Sequence, residues 1–285
     1  VTTGANNTAV GLNSLDDCTT GSSNTTVGQA SGANITTGSR NTGIGQSALL
    51  NTTTGNENTA VGDNALLLNT TGTTNTAVGH DCLEQNTTAS NNSAFGYEAL
   101  KSNTTGTQNV AVGASALQSN TTANENTAVG YFAAVANTTG AANTVMGHNS
   151  FDANTTGGSN VAFGAQSLGS NTTANHNTAI GAFALRDTTT GSQNTAVGRG
   201  ALILNTTASN NVAVGYIALN LNTTGTQNVA VGTAALDANT TASDNTGVGH
   251  NALGSNTTGT ANTAVGSLAL DANTTAVNCT AVGKD

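Results

Sequence analysis

The sequence predicts an all-β fold, a parallel β-solenoid, and three observations carry that prediction. A glycine recurs every 17 residues, from Gly11, Gly28 and Gly45 to Gly283, giving 17 copies without an insertion or deletion. Each glycine closes the same motif, Asn-Thr-Ala-Val-Gly, as in Asn58 to Gly62 and Asn75 to Gly79, with a sizeable apolar residue before it. The segment from that glycine to the next Asn-Thr-Thr is about six residues, too short for an ordinary helix. A fixed period of this length marks units that stack on their neighbours and grow by addition, with no single large core.

Composition narrows the function classes. Only 7% of the 285 residues are charged, and proline and tryptophan are absent. A disordered low-complexity tract has no reason to hold an apolar residue at one place for 17 cycles. The net charge is -9, and the five cations, Arg40, Lys101, Arg186, Arg199 and Lys284, form no cluster that could track a nucleic-acid backbone. No apolar run approaches the roughly 20 residues that span a bilayer, so membrane insertion by this segment is not expected. Cys18, Cys82 and Cys279 fall at three different places in the repeat, far apart along a stack, which argues against intrachain disulfides.

We number the repeat from the asparagine of the motif. Position 1 is Asn in 16 of 17 copies, Cys279 being the exception. Positions 2 to 4 read as a short strand, because Thr, Val and Ile suit a pleated surface. Alternation places positions 2 and 4 on one side, and the expectation is that position 4 points inward. Val61, Val78, Phe95, Val112 and Val129 would then stack as a core column, and Val197→Asp would open it. Position 5 is the turn glycine, represented by Gly62, Gly79, Gly96 and Gly113, at equivalent corners of consecutive coils.

Positions 8 and 9 are mostly Ala-Leu and read as a second short strand or a corner, with Leu66, Leu100 and Leu117 in the core. Positions 13 and 14 are Thr-Thr in every copy, and position 12 is Asn in 12 of the 16 complete copies. Those asparagines head N-glycosylation sequons: Asn69, Asn86, Asn103, Asn120, Asn137, Asn154, Asn171, Asn205, Asn222, Asn239, Asn256 and Asn273. The competing reading is a turn ladder, since glycans on every coil would crowd at a spacing of about 4.8 Å. Position 15 mostly alternates Gly and Ala, which leaves 17 or 34 residues per coil open. The 17-residue coil is favoured, because everything else repeats at 17. Stacked this way, like residues lie over like residues, the asparagines form amide ladders, and the array spans roughly 80 Å.

Asn-Thr-Ala-Val-Gly, and its variant Asn109-Val110-Ala111-Val112-Gly113, resembles the head repeats of YadA-like trimeric autotransporter adhesins. The longer unit Asn-Thr-Ala-Val-Gly-x-x-Ala-Leu-x-x-Asn-Thr-Thr-Gly is similar to tandem repeats of phage tail-fibre-like and bacterial surface proteins. The resemblance covers the whole chain and implies a fibre outside a cell or on a virion. The 17-residue period departs from the shorter YadA-type repeat. The array starts and stops inside a repeat, so residues 1 to 285 are expected to be one repeat array, the shaft of a longer protein.

Chemistry is sparse. His80, His148 and His250 share position 6 but lie at least four coils apart, too far for one metal ion, and His176 sits elsewhere. The 14 carboxylates are scattered, and no nucleophile and base recur together. No enzyme activity, cofactor or metal is expected. The primary expectation is a structural shaft with an adhesive role left open. The alternative is a surface that binds ice or glycan through its Thr and Asn ladders. Adjacent threonines face opposite ways, so only one rank of the Thr-Thr pair can face out. Tyr97, Tyr131 and Tyr216 look too dispersed for a glycan platform. The expected partner is the chain itself, as a parallel homo-oligomer, a trimer as the resemblance to adhesin heads implies, or as an end-to-end filament, with a cell-surface or glycan receptor left open. The oligomer follows from small residues at positions 3 and 8, which suit close approach to another sheet, either of the same coil or of a neighbouring chain.

Overall fold

The computed structural model describes residues 2–284 and contains strands and turns but no helix among them. It forms two compact units, Val1–Ala142 and Asn143–Asp285. The first holds eight parallel three-residue strands, among them β1 (Thr8–Val10), β4 (Thr59–Val61), β5 (Thr76–Val78) and β8 (Thr127–Val129). The second holds nine, from β9 (Thr144–Met146) to β17 (Thr280–Val282). In β4 and β5, Thr59 pairs with Thr76, Ala60 with Ala77 and Val61 with Val78. Every register step is one 17-residue repeat, so one repeat makes one coil of a parallel β-solenoid.

The strand alternates as the residue pattern requires, but with the opposite sense to the one expected. Position 3 is the inward residue: Ala60, Ala77, Ala94, Ala111 and Ala128 are fully buried. Position 4 faces out: Phe95 is 42% and Val112 38% exposed, and Val61, Val78 and Val129 are half-buried. The reason is volume. Each coil is thin, and its interior is largely filled by the position-3 residue, the Ala-Leu pair and two asparagines, so the inward strand position takes small side chains, Val145 being the largest, and the bulkier residue of the strand turns out. Gly43 shows how tight the space is, since a Cβ there would meet Leu49 Cδ1 at 3.3 Å. Ala60, Ala77 and Ala128 therefore pack within their own coil and offer no surface to a second chain.

Positions 8 and 9 form a corner. Leu66, Leu100 and Leu117 are buried as expected from sequence. Every second residue of this corner takes left-handed backbone, Asn64 at φ 56 and Leu66 at φ 53. For a leucine this costs about 1–2 kcal/mol, offset by burial of the side chain. The backbone bonds explain the shape. Ala65, Leu67 and Asn69 N–H groups donate three residues back within the coil, at 3.2–3.4 Å. Asn64 donates to Gln46 of the preceding coil, while Leu66 and Leu68 donate to Cys82 and Glu84 of the following one, at 2.9–3.0 Å. The corner thus satisfies its own donors and ties three coils together. Gly62 has φ 133, and any Cβ there would collide with the Gly79 carbonyl.

Two buried asparagine ladders complete the interior. At position 1, Asn58 Nδ2 donates to Asn41 Oδ1 (3.2 Å) and to the Gly72 carbonyl (2.9 Å), and its backbone N–H donates to the same Asn41 oxygen (3.0 Å). At position 12, Asn103 Nδ2 donates to Asn86 Oδ1 (3.1 Å) and the Gly106 carbonyl (2.9 Å). Of the twelve sequon asparagines, all but Asn273 are buried, and Asn273 is half-buried. In the folded chain the nitrogen that would carry a glycan is committed to these ladders, which overturns glycosylation in favour of the ladder reading.

Candidate functional surfaces

The coil sorts its surface into longitudinal files of different chemistry. All 19 charged residues fall at positions 6, 7, 10, 11 and 17 of the repeat. The outward strand face, positions 2 and 4, carries Thr, Ser or Val beside Val, Ile, Phe or Met, with no charge in any copy. Its apolar file is open in both units, as at Ile44 and Phe95 in one and Met146 and Phe163 in the other. Tyr97 and Tyr131 lie at position 6 of the first unit, next to this file and exposed, so they are closer to a common strip than their separation in sequence suggests.

The Thr-Thr pair forms a second uniform face. The position-13 hydroxyls donate to the position-13 carbonyl of the next coil, as in Thr19 to Thr36 (3.0 Å) and Thr53 to Thr70 (3.2 Å), which accounts for threonine there. Position 14 is threonine in all 17 copies and exposed in every one. Residue 15 points inward, so the mostly Ser, Thr or Asn side chain at position 16 stands beside the threonine as a second, more recessed polar file.

The third surface, positions 7, 10 and 11, is varied. In the N-terminal unit it gathers a charged network. Lys101 Nζ lies 2.9 Å from Asp81 Oδ2, 2.9 Å from Glu98 Oε1 and 3.6 Å from Glu84 Oε2. Hydrogen bonds to Glu98 and then to Asp81 hold the Lys101 ammonium above its ordinary pKa. Burial alone would raise the Asp81 carboxyl, but bonds from Lys101 and Asn64 outweigh it and hold the group below the usual carboxylate value. His80 stacks on Tyr97 with ring centroids 5.6 Å apart and reaches Asp81 at 3.4 Å. In the C-terminal unit the same surface is cut by two polar cavities. One, of about 450 Å³, is lined by Asn149, Asp152, Gln166, Ser170, Arg186 and Asp187 among others. The other, of about 260 Å³, is lined by Asp237, Asn251, Gly254, Ser255 and Asp271. Burial raises the Asp152 and Asp237 carboxyls, against backbone N–H donors that lower them.

No group of three or more metal-ligating side chains occurs among the described residues. Cys18 and Cys82 are buried free thiols and Cys279 is a half-buried one, with burial pushing Cys82 up to about 12. No helix among the described residues is long and apolar enough to cross a membrane. No protein-family model matches the chain, and no curated protein matches it in sequence.

Proposed function

We propose that this chain is a structural shaft of a fibre displayed outside a cell or on a virion, self-associated in parallel through its outward strand face. The observation that carries this reading is the uncharged, apolar file at position 4. It repeats with every coil and is left open by a fold whose charged side chains, among the described residues, all lie at other positions of the repeat. Contiguous exposed apolar surface on a soluble chain marks an interaction site. A file with a strand-spaced period is covered along its length only by a partner of equal period, which a second copy supplies. Parallel, in-register association sets Phe95 against Phe95 and Ile44 against Ile44 around a closed symmetry axis. This file replaces the inward-facing alanines as the basis for an oligomer, with a trimer the arrangement that the resemblance to adhesin heads implies. End-to-end stacking and a glycan or cell-surface receptor are compatible additions.

Light scattering and negative-stain imaging of the purified chain test both halves. An elongated oligomer that dissociates on Phe95→Glu and Val112→Glu supports the proposal. A monomer at all concentrations overturns the oligomer, and globular particles overturn the shaft.

A second reading draws on position 14. An exposed, charge-free rank of threonine in every coil suits a regular lattice such as ice. Thermal hysteresis that is lost on Thr105→Lys and Thr122→Lys would favour this reading; its absence in the unaltered chain would dismiss it.

A further inference from the structure

Positions 7, 10 and 11 of the repeat share one face of the coil, since side chains from all three line each polar cavity. In the C-terminal unit the centre of this face is apolar. Ile203 and Leu204 stand at positions 10 and 11 of one coil, and Leu221 stands at position 11 of the next, with Ile217 at its position 7. Leu221 is 41% exposed and the other three are half-buried. The patch is continuous across the two coils. A Cβ added at Gly200 would touch both Ile217 Cγ2, at 3.4 Å, and Ile203 Cδ1, at 3.6 Å.

The flanks of this patch match one another about the junction of its two coils. One coil out, position 10 is Arg186 on one side and Asp237 on the other. Two coils out, positions 10 and 11 are Gly-Ser on both sides, Gly169-Ser170 and Gly254-Ser255, and a polar cavity opens at each. Three coils out they are Asp-Ala on both sides, at Asp152 and Asp271. Arg186 and Asp237 are themselves three coils apart, about 14 Å at strand spacing, too far to pair within one chain. Arg186 leans on its neighbour Asp187 at 2.7 Å, and the Asp237 carboxyl is met by the backbone N–H groups of Asp237 and Ala238.

A two-fold axis lying in this face, across the shaft at the junction, reverses the order of coils and keeps each file opposite itself. Two copies related by it set Leu204 against Leu221, Arg186 against Asp237 and each Gly-Ser notch against the other, every contact occurring twice, as an isologous interface requires. A parallel, in-register pair would instead set Arg186 against Arg186. We propose that this face binds a second copy of the chain in antiparallel orientation, so that shafts adhere side to side. The contact uses a different face from the strand association and does not depend on it. Asp152 of one copy opposes Asp271 of the other, and this like-charge pair closes the contact at each end. The span from the Gly169 coil to the Gly254 coil is about 24 Å, at the small end of specific interfaces, so the pairing is weak and reversible.

Disulfide trapping of the full chain tests this. A Cys279→Ser background leaves only the buried Cys18 and Cys82. Chains carrying Ser170→Cys and chains carrying Ser255→Cys are mixed in equal amounts in a glutathione redox buffer. Antiparallel pairing sets residue 170 against residue 255, whereas two copies of residue 170 lie about 24 Å apart, beyond the reach of a disulfide. The mixed 170–255 disulfide should exceed either like-with-like disulfide by about tenfold or more. Arg186→Asp and Asp237→Arg should each slow its formation about tenfold, and both reversals in one chain should restore it to within about twofold. Leu221→Glu should slow it at least as much as either. Like-with-like disulfides as abundant as the mixed one would overturn the proposal. So would single charge reversals without effect, or a double reversal that fails to recover.

Discussion

Replacing Asn75 by alanine tests what holds the coils together. Asn75 Nδ2 donates to Asn58 Oδ1 at 3.2 Å and to the Ala89 carbonyl at 2.8 Å, and its Oδ1 accepts the backbone N–H of Asn92 at 3.0 Å. Three hydrogen bonds are lost at about 1 kcal/mol each. The Asn92 N–H, in a fully buried residue, is left without that acceptor, which adds a penalty of about 1–3 kcal/mol. The Ala89 carbonyl keeps the Asn86 amide at 3.1 Å and adds no penalty. The expected loss is about 4–6 kcal/mol. Asn86→Thr, in the other ladder, should cost only about 1 kcal/mol. Thr52 and Thr188 already stand at position 12, where they accept Asn69 and Asn205 at 3.4 and 3.3 Å, and this ladder carries no backbone N–H from coil to coil.

A repeat array does not unfold in two states, so the assay is hydrogen exchange read coil by coil, with thermal melting as the global check. Asn75→Ala should speed exchange at Asn92 and its neighbours by two orders of magnitude or more, since each tenfold corresponds to about 1.4 kcal/mol. Asn86→Thr should change exchange about fivefold. Equal effects, or a larger effect from Asn86→Thr, would refute the distinction between the two ladders.

Three further outcomes follow from the same geometry. Ala196→Asp buries a carboxylate with no partner and should cost several kcal/mol, whereas Val197→Asp, on the outward side, should stay within about 1 kcal/mol; melting temperatures of the pair check the direction of the strand. Because Asp81 titrates below its ordinary value, its contribution is complete above roughly pH 4 and fades as pH falls through the folded value. Because Lys101 titrates above its own, its share persists to roughly pH 10 and fades above it. The destabilisation caused by Lys101→Met should therefore be largest between those limits and shrink on either side, as melting curves against pH will show. Native maleimide labelling should modify Cys279 alone, with Cys18 and Cys82 reacting only after unfolding.

The sequence made the coil legible because its period is strict: one repeat per coil, the glycine corners at Gly62 and Gly79, and the leucines at Leu66 and Leu100 all follow from it. It misled on the strand because alternation separates two faces without saying which is inside. Volume decides that, and the relevant signal was present. Position 3 is almost always alanine, while position 4 ranges from valine to phenylalanine and methionine, a tolerance that a tight interior does not allow. The left-handed leucines had no such signal, because leucine rarely adopts that backbone and only the stacked context enforces it. Asn-Thr-Thr taken alone reads as a sequon, and its recurrence coil after coil is what points to a ladder instead; that the ladder is buried could not be read from the triplet.

The division between constant and varied files also explains how a uniform scaffold can carry a specific site. Each coil supplies its own backbone partners through the corner, the two amide ladders and the strand, and none of these uses the side chains at positions 7, 10 and 11. Those side chains can change from leucine to glutamate to lysine to glycine while the coil bonds stay in place, as the position-10 file shows along its length. In a globular core, removing a side chain leaves a cavity and a stability loss of several kcal/mol. On this surface, Gly254 leaves an open notch flanked by Asp237 and Asp271. Specific pairing is therefore expected at departures from the repeat on its varied face, and association along the whole shaft at the positions that depart least.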